Sequence, residues 1–186
     1  MAPFGPRVPA EGGFPPANGP ETMAEDVLIR DVRPDDVETL VEIAVAAWAP
    51  INAERLRFMG EELFGILHSG WQERKARQVR AACAPGSRAG VCVAEIDGRA
   101  VGFATYWTDD ATGIGELSNN AVHADVRGRG LGGRMYEYVF ERLRERGMRF
   151  VVVRTGGDAG HAPARRAYEK AGFDVQDPKM VYYRRL

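Results

Sequence analysis

Residues 122–134 read Val-His-Ala-Asp-Val-Arg-Gly-Arg-Gly-Leu-Gly-Gly-Arg and are the most informative part of the chain. The stretch runs from an apolar strand end through a glycine-rich turn into an amphipathic helix that begins near Leu131. Glycines let a backbone approach a ligand closely. The first N–H groups of a helix lack helical partners, and the helix dipole adds positive potential there. The sequence therefore predicts that this turn binds an anion such as a diphosphate.

A purely structural turn is the alternative, in which the glycines serve only the geometry and the neighbouring arginines are solvated. Gly128, Gly130 and Gly133 also match G-x-G-x-x-G, the fingerprint of dinucleotide-binding folds. That fingerprint opens a repeated parallel βαβ array, whereas only about 50 residues follow this turn and an antiparallel hairpin precedes it. A P-loop is excluded because no Lys-Ser or Lys-Thr pair follows the glycines. A single nucleotide-like anion is the ligand that this context favours.

The segments before the turn predict a strand, two helical regions and a hairpin. Residues 27–29 form a short β-type run, and apolar residues recur at helical spacing over 34–48. A second helical region spans about 52–84. The Asp97-Gly98 pair lies between two apolar runs and is a hairpin signal, because a type I′ turn needs positive φ at both central positions.

The remaining segments predict four strands and two helices. The strands are expected at 115–123, 150–153, 173–175 and 180–183, and the helices over about 131–147 and 163–171. The predicted order is βααβββαβαββ, an α/β domain of mixed α+β character without an internal repeat.

The charge balance excludes a general attraction to polyanions. The 186 residues include 25 lysines and arginines against 26 aspartates and glutamates, which gives a formal net charge of -1. We therefore expect no nucleic acid partner and no membrane association. Cys83 and Cys92 are too few for a disulfide framework, which favours a reducing cytoplasm. No apolar run approaches the roughly 20 residues that span a bilayer.

The N-terminal residues differ in composition from the rest of the chain. Residues 1–25 are rich in proline and glycine and cannot bury enough apolar surface to offset their ordering entropy. We expect a flexible extension over 1–25 and a single folded domain over 26–186, since this length suits one hydrophobic core.

Two separated motifs resemble the GNAT superfamily of acetyl-CoA-dependent N-acetyltransferases. Arg127, Gly130 and Gly132 fit the family signature R/Q-x-x-G-x-G/A. Residues 161–173, His-Ala-Pro-Ala-Arg-Arg-Ala-Tyr-Glu-Lys-Ala-Gly-Phe, are similar to its N-x-x-A-x-x-L-Y-x-x-x-G-F pattern. The second motif departs from the pattern at His161, where asparagine is usual, and at Ala167, where leucine is usual.

The resemblance implies a fold and a coenzyme. It implies a central mixed and strongly bent sheet of six to seven strands with helices on both faces, and it implies acetyl-CoA as co-substrate. In the family the glycine turn binds the diphosphate of coenzyme A, and the preceding strand bonds the pantetheine arm. The coenzyme-binding residues that this implies are Ala121, Val122, Arg127, Gly128, Arg129, Gly130, Leu131, Gly132, Gly133, His161 and Ala164.

The resemblance also assigns the catalytic groups. Tyr168 stands where the family places the acid that protonates the departing thiolate, and its alternative role is packing on the coenzyme. Glu116 lies on the strand before the turn, where some relatives carry a general base, and its alternative is an ordinary surface position. A positioned base contributes roughly 10² to 10⁴-fold to the rate. No metal is expected, because the histidines lack ligand spacing.

The acceptor site is less defined by the sequence. Asn119 and Asn120 are unusual inside a strand and predict a bulge or a substrate-lining position. Trp48 and Tyr106 are candidate walls of an acceptor pocket, and Asp109 or Asp110 is a candidate partner for a cationic amine. Each of these residues also has a structural explanation.

The function that these observations predict is transfer of an acetyl group from acetyl-CoA to a primary amine of a small molecule or peptide. The amine attacks directly in a ternary complex, since Cys83 and Cys92 lie outside both motifs. A non-catalytic acyl-CoA-binding or sensor module of the same fold is the alternative. A homodimer is possible, because dimers are frequent in the superfamily.

Overall fold

Five strands form one sheet in the computed structural model, which describes residues 27–186 of the chain. They are β1 (Val27–Asp31), β2 (Gly90–Ile96), β3 (Arg99–Asp109), β4 (Ile114–Val122) and β5 (Phe150–Val153), and they lie side by side in this order. Neighbouring strands are antiparallel except β4 and β5, which are parallel. The extension predicted for residues 1–25 lies outside the described residues.

Four helices cover the sheet within the described part of the chain. They are α1 (Val37–His68), α2 (Trp71–Cys83), α3 (Leu131–Glu145) and α4 (Ala162–Lys170). Helix α1 is interrupted at Gly60, whose φ of 77° and ψ of 163° are not helical. The order of these nine elements agrees with the first nine elements predicted from the sequence.

Each face of the sheet carries its own hydrophobic core. Leu40 and Ile43 of α1 and Val79 of α2 pack with Phe103 on one face. On the other face, side chains of α3 and α4 pack with Leu117 of β4. Helices therefore lie on both faces, as the resemblance implied.

The predicted hairpin is confirmed. Asp97 and Gly98 have φ of 49° and 78°, and they join β2 to β3 as antiparallel neighbours. Asp97 is a non-glycine residue with positive φ, a conformation that aspartate tolerates better than most residues.

The two final predicted strands are wrong. Residues 173–175 and 180–183 adopt no strand, so the sheet has five strands in residues 27–186 instead of six to seven. Phe173 packs its ring against Phe140 and Tyr168, and the apolar run that follows Pro178 is exposed. An apolar run becomes a strand only where a neighbour accepts its hydrogen bonds, and no segment of residues 27–186 pairs with the outer edge of β5.

Strands β4 and β5 pair over only part of their length. The parallel ladder joins residues 114–117 to residues 150–153, and β5 ends there. Residues 118–122 of β4 therefore have no partner strand on that side among the described residues. The gap that opens beyond Leu117 is where the glycine turn and the beginning of α4 come together.

We predict that Gly90→Ala destabilises the fold. Gly90 lies directly opposite Tyr106 in the β2–β3 ladder, and a Cβ atom at Gly90 would overlap the Tyr106 ring. Overpacking of this kind costs about 1–3 kcal/mol. Urea denaturation measures the free energy of unfolding. Gly65→Ala is the matched control, because a Cβ there meets no atom within 4 Å; an equal loss in both variants would contradict the prediction.

Candidate active site

A cavity of about 1600 Å³ occupies the gap between the separated ends of β4 and β5. Its walls are residues 118–122 of β4, the glycine turn, the first turns of α3 and α4, and part of α1 and α2. The cavity therefore collects side chains from both faces of the sheet.

The glycine turn presents uncommitted main-chain donors to this cavity. Gly128 and Gly130 have φ of 81° and 78°, which only glycine adopts without strain. The first helical bond runs from the Arg134 N–H to the Gly130 carbonyl at 3.2 Å. Before it, the amides of Gly128, Gly130, Leu131, Gly132 and Gly133 donate to no acceptor within residues 27–186. This arrangement suits an anion, because several uncommitted donors lie together at the N-terminus of α3, where the helix dipole is positive.

Arg127 supports the turn. Its Nε donates to the carbonyl of Val122 at 3.3 Å, so the side chain folds back over the strand end while still lining the cavity. Arg134 also lines the cavity and donates to the carbonyl of Val27 at 2.8 Å. These bonds link the beginning of α3 to β4 and β1.

Tyr168, Asn120 and Tyr136 form a hydrogen-bonded group at the base of the cavity. Tyr136 donates its hydroxyl to Asn120 Oδ1 at 2.8 Å. Asn120 Nδ2 donates to the Tyr168 hydroxyl oxygen at 3.0 Å, and the Tyr168 hydroxyl donates a longer bond to Asn120 Oδ1 at 3.4 Å. Because the bond that Tyr168 donates is long, a ligand in the cavity can compete for its proton.

The burial of Tyr168 keeps its phenol protonated. Desolvation raises the pKa of Tyr168 above the ordinary value of 10, and the hydrogen bonds with Asn120 and Tyr136 oppose this shift. Desolvation likewise raises the pKa of Tyr136. Both hydroxyls are therefore neutral donors at physiological pH, and Asn120 is placed to stabilise a phenolate at Tyr168 once its proton has left.

A β-bulge in β4 determines which side chains reach the cavity. Ala104 pairs with Asn120 and Tyr106 pairs with Leu117, so Thr105 faces two residues of β4. Thr105 is fully buried, and its hydroxyl accepts the Asn119 N–H at 2.9 Å. Of the two alternatives that Asn119 and Asn120 left open, the structure shows the bulge.

Glu116 of β4 also lines the cavity. Its carboxylate forms an ion pair with Arg154, which follows β5. The guanidinium orients the carboxylate and competes with any amine for it. Glu116 is therefore placed at the mouth of the gap, where β4 and β5 begin to separate.

His161 begins the second motif and is held by Asp158. The His161 Nδ1 atom lies 2.7 Å from Asp158 Oδ2, and the His161 N–H also bonds the Asp158 carboxylate. Hydrogen bonds and the charge of His161 lower the pKa of Asp158 against the opposing effect of its burial. This pairing leaves the other ring nitrogen, Nε2, as the atom that His161 can offer to a ligand.

The α1–α2 wall carries a half-buried lysine. Lys75 Nζ donates to Asn119 Oδ1 at 2.7 Å and lies 3.9 Å from the centre of the Trp48 ring. Desolvation, followed by the charge of Arg55, lowers the pKa of Lys75 to about 8. Trp48, Asn119 and Lys75 thus form one contact group beside the bulge.

The structure brings most of the sequence-predicted residues together. Those that line the cavity are Trp48, Glu116, Asn119, Asn120, Ala121, Val122, Arg127, Gly128, Gly130, Leu131, Gly132, Gly133, His161, Ala164 and Tyr168. Arg129 and Tyr106 do not line it. Tyr106 is 2% exposed and packs over Gly90 in the core beneath α3, on the face opposite α1. Asp109 organises the β3–β4 turn by accepting bonds from Ala111 and Thr112.

Sequence reasoning missed several cavity residues. Tyr136 had a usable signal, because it follows Gly132 by one helical turn and so shares its face. No such signal marks Lys75, Arg55 or Arg154. Nothing in the sequence around them distinguishes these residues from ordinary solvent-exposed charged residues. Thr105 looks like any strand residue until the register of β3 and β4 is known.

Two kinds of structural feature are absent from residues 27–186. No helix in this range is long and apolar enough to cross a bilayer. No group of three or more histidine, cysteine, aspartate or glutamate side chains in this range is arranged to hold a metal ion.

The model of the Acetyltransferase (GNAT) family matches residues 56–173, and the chain belongs to this family. Among curated proteins, mycothiol acetyltransferase from Rhodococcus jostii (strain RHA1) is 29% identical over 173 residues, covering 87% of this chain and 50% of that protein. The chain spans half or less of the length of the curated relatives it matches.

Solved structures share the fold. A GNAT-family structure from Desulfovibrio desulfuricans superposes with a TM-score of 0.63 at 24% identity, covering 81% of this chain and 87% of that chain. An aminoglycoside N-acetyltransferase in complex with CoA gives a TM-score of 0.58 at 16% identity, covering 89% and 99%. The sheet with helices on both faces is therefore the GNAT fold.

We predict that Thr105→Val destabilises the protein by about 1–3 kcal/mol, because the isosteric change leaves the Asn119 N–H without its acceptor. Urea denaturation gives the free energy of unfolding. Thr108→Val on the same strand is the control, since the Thr108 hydroxyl makes no hydrogen bond within residues 27–186. Equal stabilities of the two variants would mean that the bulge does not depend on this hydroxyl.

Proposed function

We propose that this protein transfers an acetyl group from acetyl-CoA to a primary amine, with both substrates bound together in the cavity. The observation that carries the proposal is that one cavity joins a row of uncommitted turn amides to a buried tyrosine hydroxyl. The first feature suits the diphosphate of a coenzyme and the second suits proton donation to its leaving sulfur. The family membership supports the same reaction.

The coenzyme half of the cavity is the glycine turn and the free half of β4. The amides of Gly128, Gly130, Leu131, Gly132 and Gly133 match the oxygen acceptors of a diphosphate, and Arg127 and Arg134 add positive charge. Residues 118–122 have no partner strand from residues 27–186 on the side of the gap, so their main-chain groups can bond an extended pantetheine arm as a further strand would. His161 and Ala164 of the second motif close this half.

Tyr168 acts as the general acid. Acetyl-CoA supplies a thioester whose carbon–sulfur bond breaks as the carbon–nitrogen bond to the amine forms. Tyr168 transfers its proton to the departing sulfur, and Asn120 Nδ2 stabilises the phenolate that remains. Tyr136 holds the Asn120 amide in this orientation through Oδ1.

Glu116 removes the proton that the amine must lose. The carboxylate lines the cavity at the mouth of the gap, and Arg154 fixes its orientation. An ammonium has a pKa near 10, so a base that takes its proton raises the fraction of reactive amine. A water between Glu116 and the amine is compatible with this role.

An acyl-cysteine intermediate is not part of the proposal. Cys92 is fully buried, and desolvation raises its pKa to about 12. Desolvation also raises the pKa of the Cys83 thiol. Neither cysteine lines the cavity, so direct attack by the amine is the route that the site supports.

We predict that CoA binds the purified protein and that acetyl-CoA is consumed when the right amine is present. Isothermal titration calorimetry measures the first step. Release of free thiol across aminoglycosides, polyamines, amino acids and peptides measures the second. Absence of binding heat with folded protein overturns the proposal, and CoA binding without turnover of any amine favours a sensor module.

We predict that Tyr168→Phe lowers kcat by about 10² to 10⁴-fold without weakening CoA binding, since only the proton donor is lost. A general acid must be protonated, and burial holds the Tyr168 pKa above 10. The wild-type rate should therefore show no alkaline loss from this group below pH 10. Steady-state kinetics over a pH series tests both points.

The control for this variant is Tyr182→Phe, because Tyr182 is 85% exposed and lies outside the cavity. Its kcat should equal that of the wild type. An unchanged kcat in Tyr168→Phe at both low and high pH would show that Tyr168 is not the general acid.

A further inference from the structure

Two cations on the α1–α2 wall have no acidic partner among residues 27–186. Arg55 of α1 and Lys75 of α2 both line the cavity. Within residues 27–186, no carboxylate lies within ion-pair distance of either side chain. The acidic residue nearest in the sequence to Arg55 is Glu54, which pairs with Arg57 instead. The nearby Glu116 is paired with Arg154.

Within residues 27–186, no negative charge balances the two positive charges of Arg55 and Lys75. A half-buried ammonium loses hydration, and proteins normally compensate such a group with an opposite charge. The partners that Lys75 has are the neutral Asn119 oxygen and the Trp48 ring. Arg55 adds repulsion, because its charge contributes to the lowered pKa of Lys75. An anion between the two side chains would supply the missing charge.

A small side pocket continues from these residues. It has a volume of about 160 Å³ between α1 and α2, and its lining includes Arg55, Lys75 and Arg74 but no acidic side chain. Asn52 is 3% exposed and lines this pocket, and its Oδ1 atom has no hydrogen-bond partner within the described chain. Burial and the charges of Arg55 and Arg74 lower the pKa of His68, which also lines it.

We propose that the acceptor amine carries an anionic group, a carboxylate or a phosphate, which binds between Lys75 and Arg55 beside the side pocket. The proposal rests on the proposed acetyl transfer and names the acceptor class of the same site. The unpartnered Asn52 oxygen accepts a hydroxyl or amide N–H of such an acceptor. A purely cationic polyamine is disfavoured, because it would meet the two positive side chains.

The position of Lys75 limits the size of the acceptor. Lys75 bonds Asn119, which lies three residues after Glu116 on β4. A strand advances about 3.3 Å per residue, and because of the bulge these three steps of β4 run alongside only the two steps from Trp107 to Thr105 of β3, so the two groups are separated by roughly 7 Å along the strand. An acceptor whose amine lies near Glu116 and whose anion lies near Lys75 therefore has several bonds between the two groups.

The experiment compares amines that differ only in the anion. Calorimetry measures binding of ω-amino acids of two to six carbons, of 2-aminoethyl phosphate, and of alkylamines of equal length to the CoA-saturated protein. A charge-assisted hydrogen bond stabilises by about 1.5–3 kcal/mol, so the best anionic amine should bind about 10-fold to 100-fold more tightly than its neutral match. Comparing the affinity of the carboxylate amines with that of 2-aminoethyl phosphate shows which anion the site prefers.

Two variants locate the effect at Lys75. Lys75→Met keeps the unbranched stem and removes the charge, and it should abolish the preference for the anionic amine. Lys75→Arg should retain part of it. Arg77→Met on the same helix is the matched control, because Arg77 is exposed and pairs with Glu73. This control should leave the preference unchanged.

Several outcomes overturn the proposal. Equal binding of anionic and neutral amines by the wild type removes it, as does the failure of every anionic amine to bind. An equal loss of both amine classes in Lys75→Met shows that Lys75 only supports Asn119 and Trp48. Titration of CoA alone and thiol release are measured separately, so a failure of the proposed acetyl transfer is distinguishable from a failure of the anion site.

Discussion

The hydrogen bond between the Thr105 hydroxyl and the Asn119 N–H is the interaction on which the site depends. It accommodates one extra residue in β4, and an extra residue reverses which side chains face which side of a sheet. Before the bulge, Gly115 and Leu117 face α3. After it, Asn120 faces α3 and α4 and reaches Tyr136 and Tyr168.

A regular strand would direct these residues differently. Without the extra residue, Asn120 would lie on the face of α1 and α2, and Tyr168 would lose the amide that holds its hydroxyl. The same bulge places Asn119 on the face of α1 and α2, where it bonds Lys75. One local irregularity therefore supplies both halves of the cavity with a polar side chain.

Local patterns were sufficient to predict most of the architecture. The hairpin at Asp97 and Gly98 and the helix after the glycine turn are specified by residues close together in the sequence. The two final strands failed for a physical reason, because a β-type run such as residues 180–183 says nothing about whether a partner edge accepts it. Pairing is a property of the whole sheet.

The residues of the predicted site also differ in how far local sequence alone identifies them. The glycine turn was predictable because a single segment supplies all of its donors. Asn119 and Asn120 were recognisable as unusual strand residues, but their opposite directions follow only from the register. Lys75 and Arg55 could not be identified from the sequence, because only the packing of α1 and α2 brings them to the same cavity as β4.

Helix α1 is interrupted at Gly60, and Gly70 adopts an αL conformation before α2, so the α1–α2 wall of the cavity contains two breaks in its helices. Neither glycine belongs to the segments that carry Tyr168 or the turn amides. Substitutions near these two positions can alter the α1–α2 wall without changing the segments that carry Tyr168 or the turn amides. The two sides of the cavity can therefore change independently during evolution.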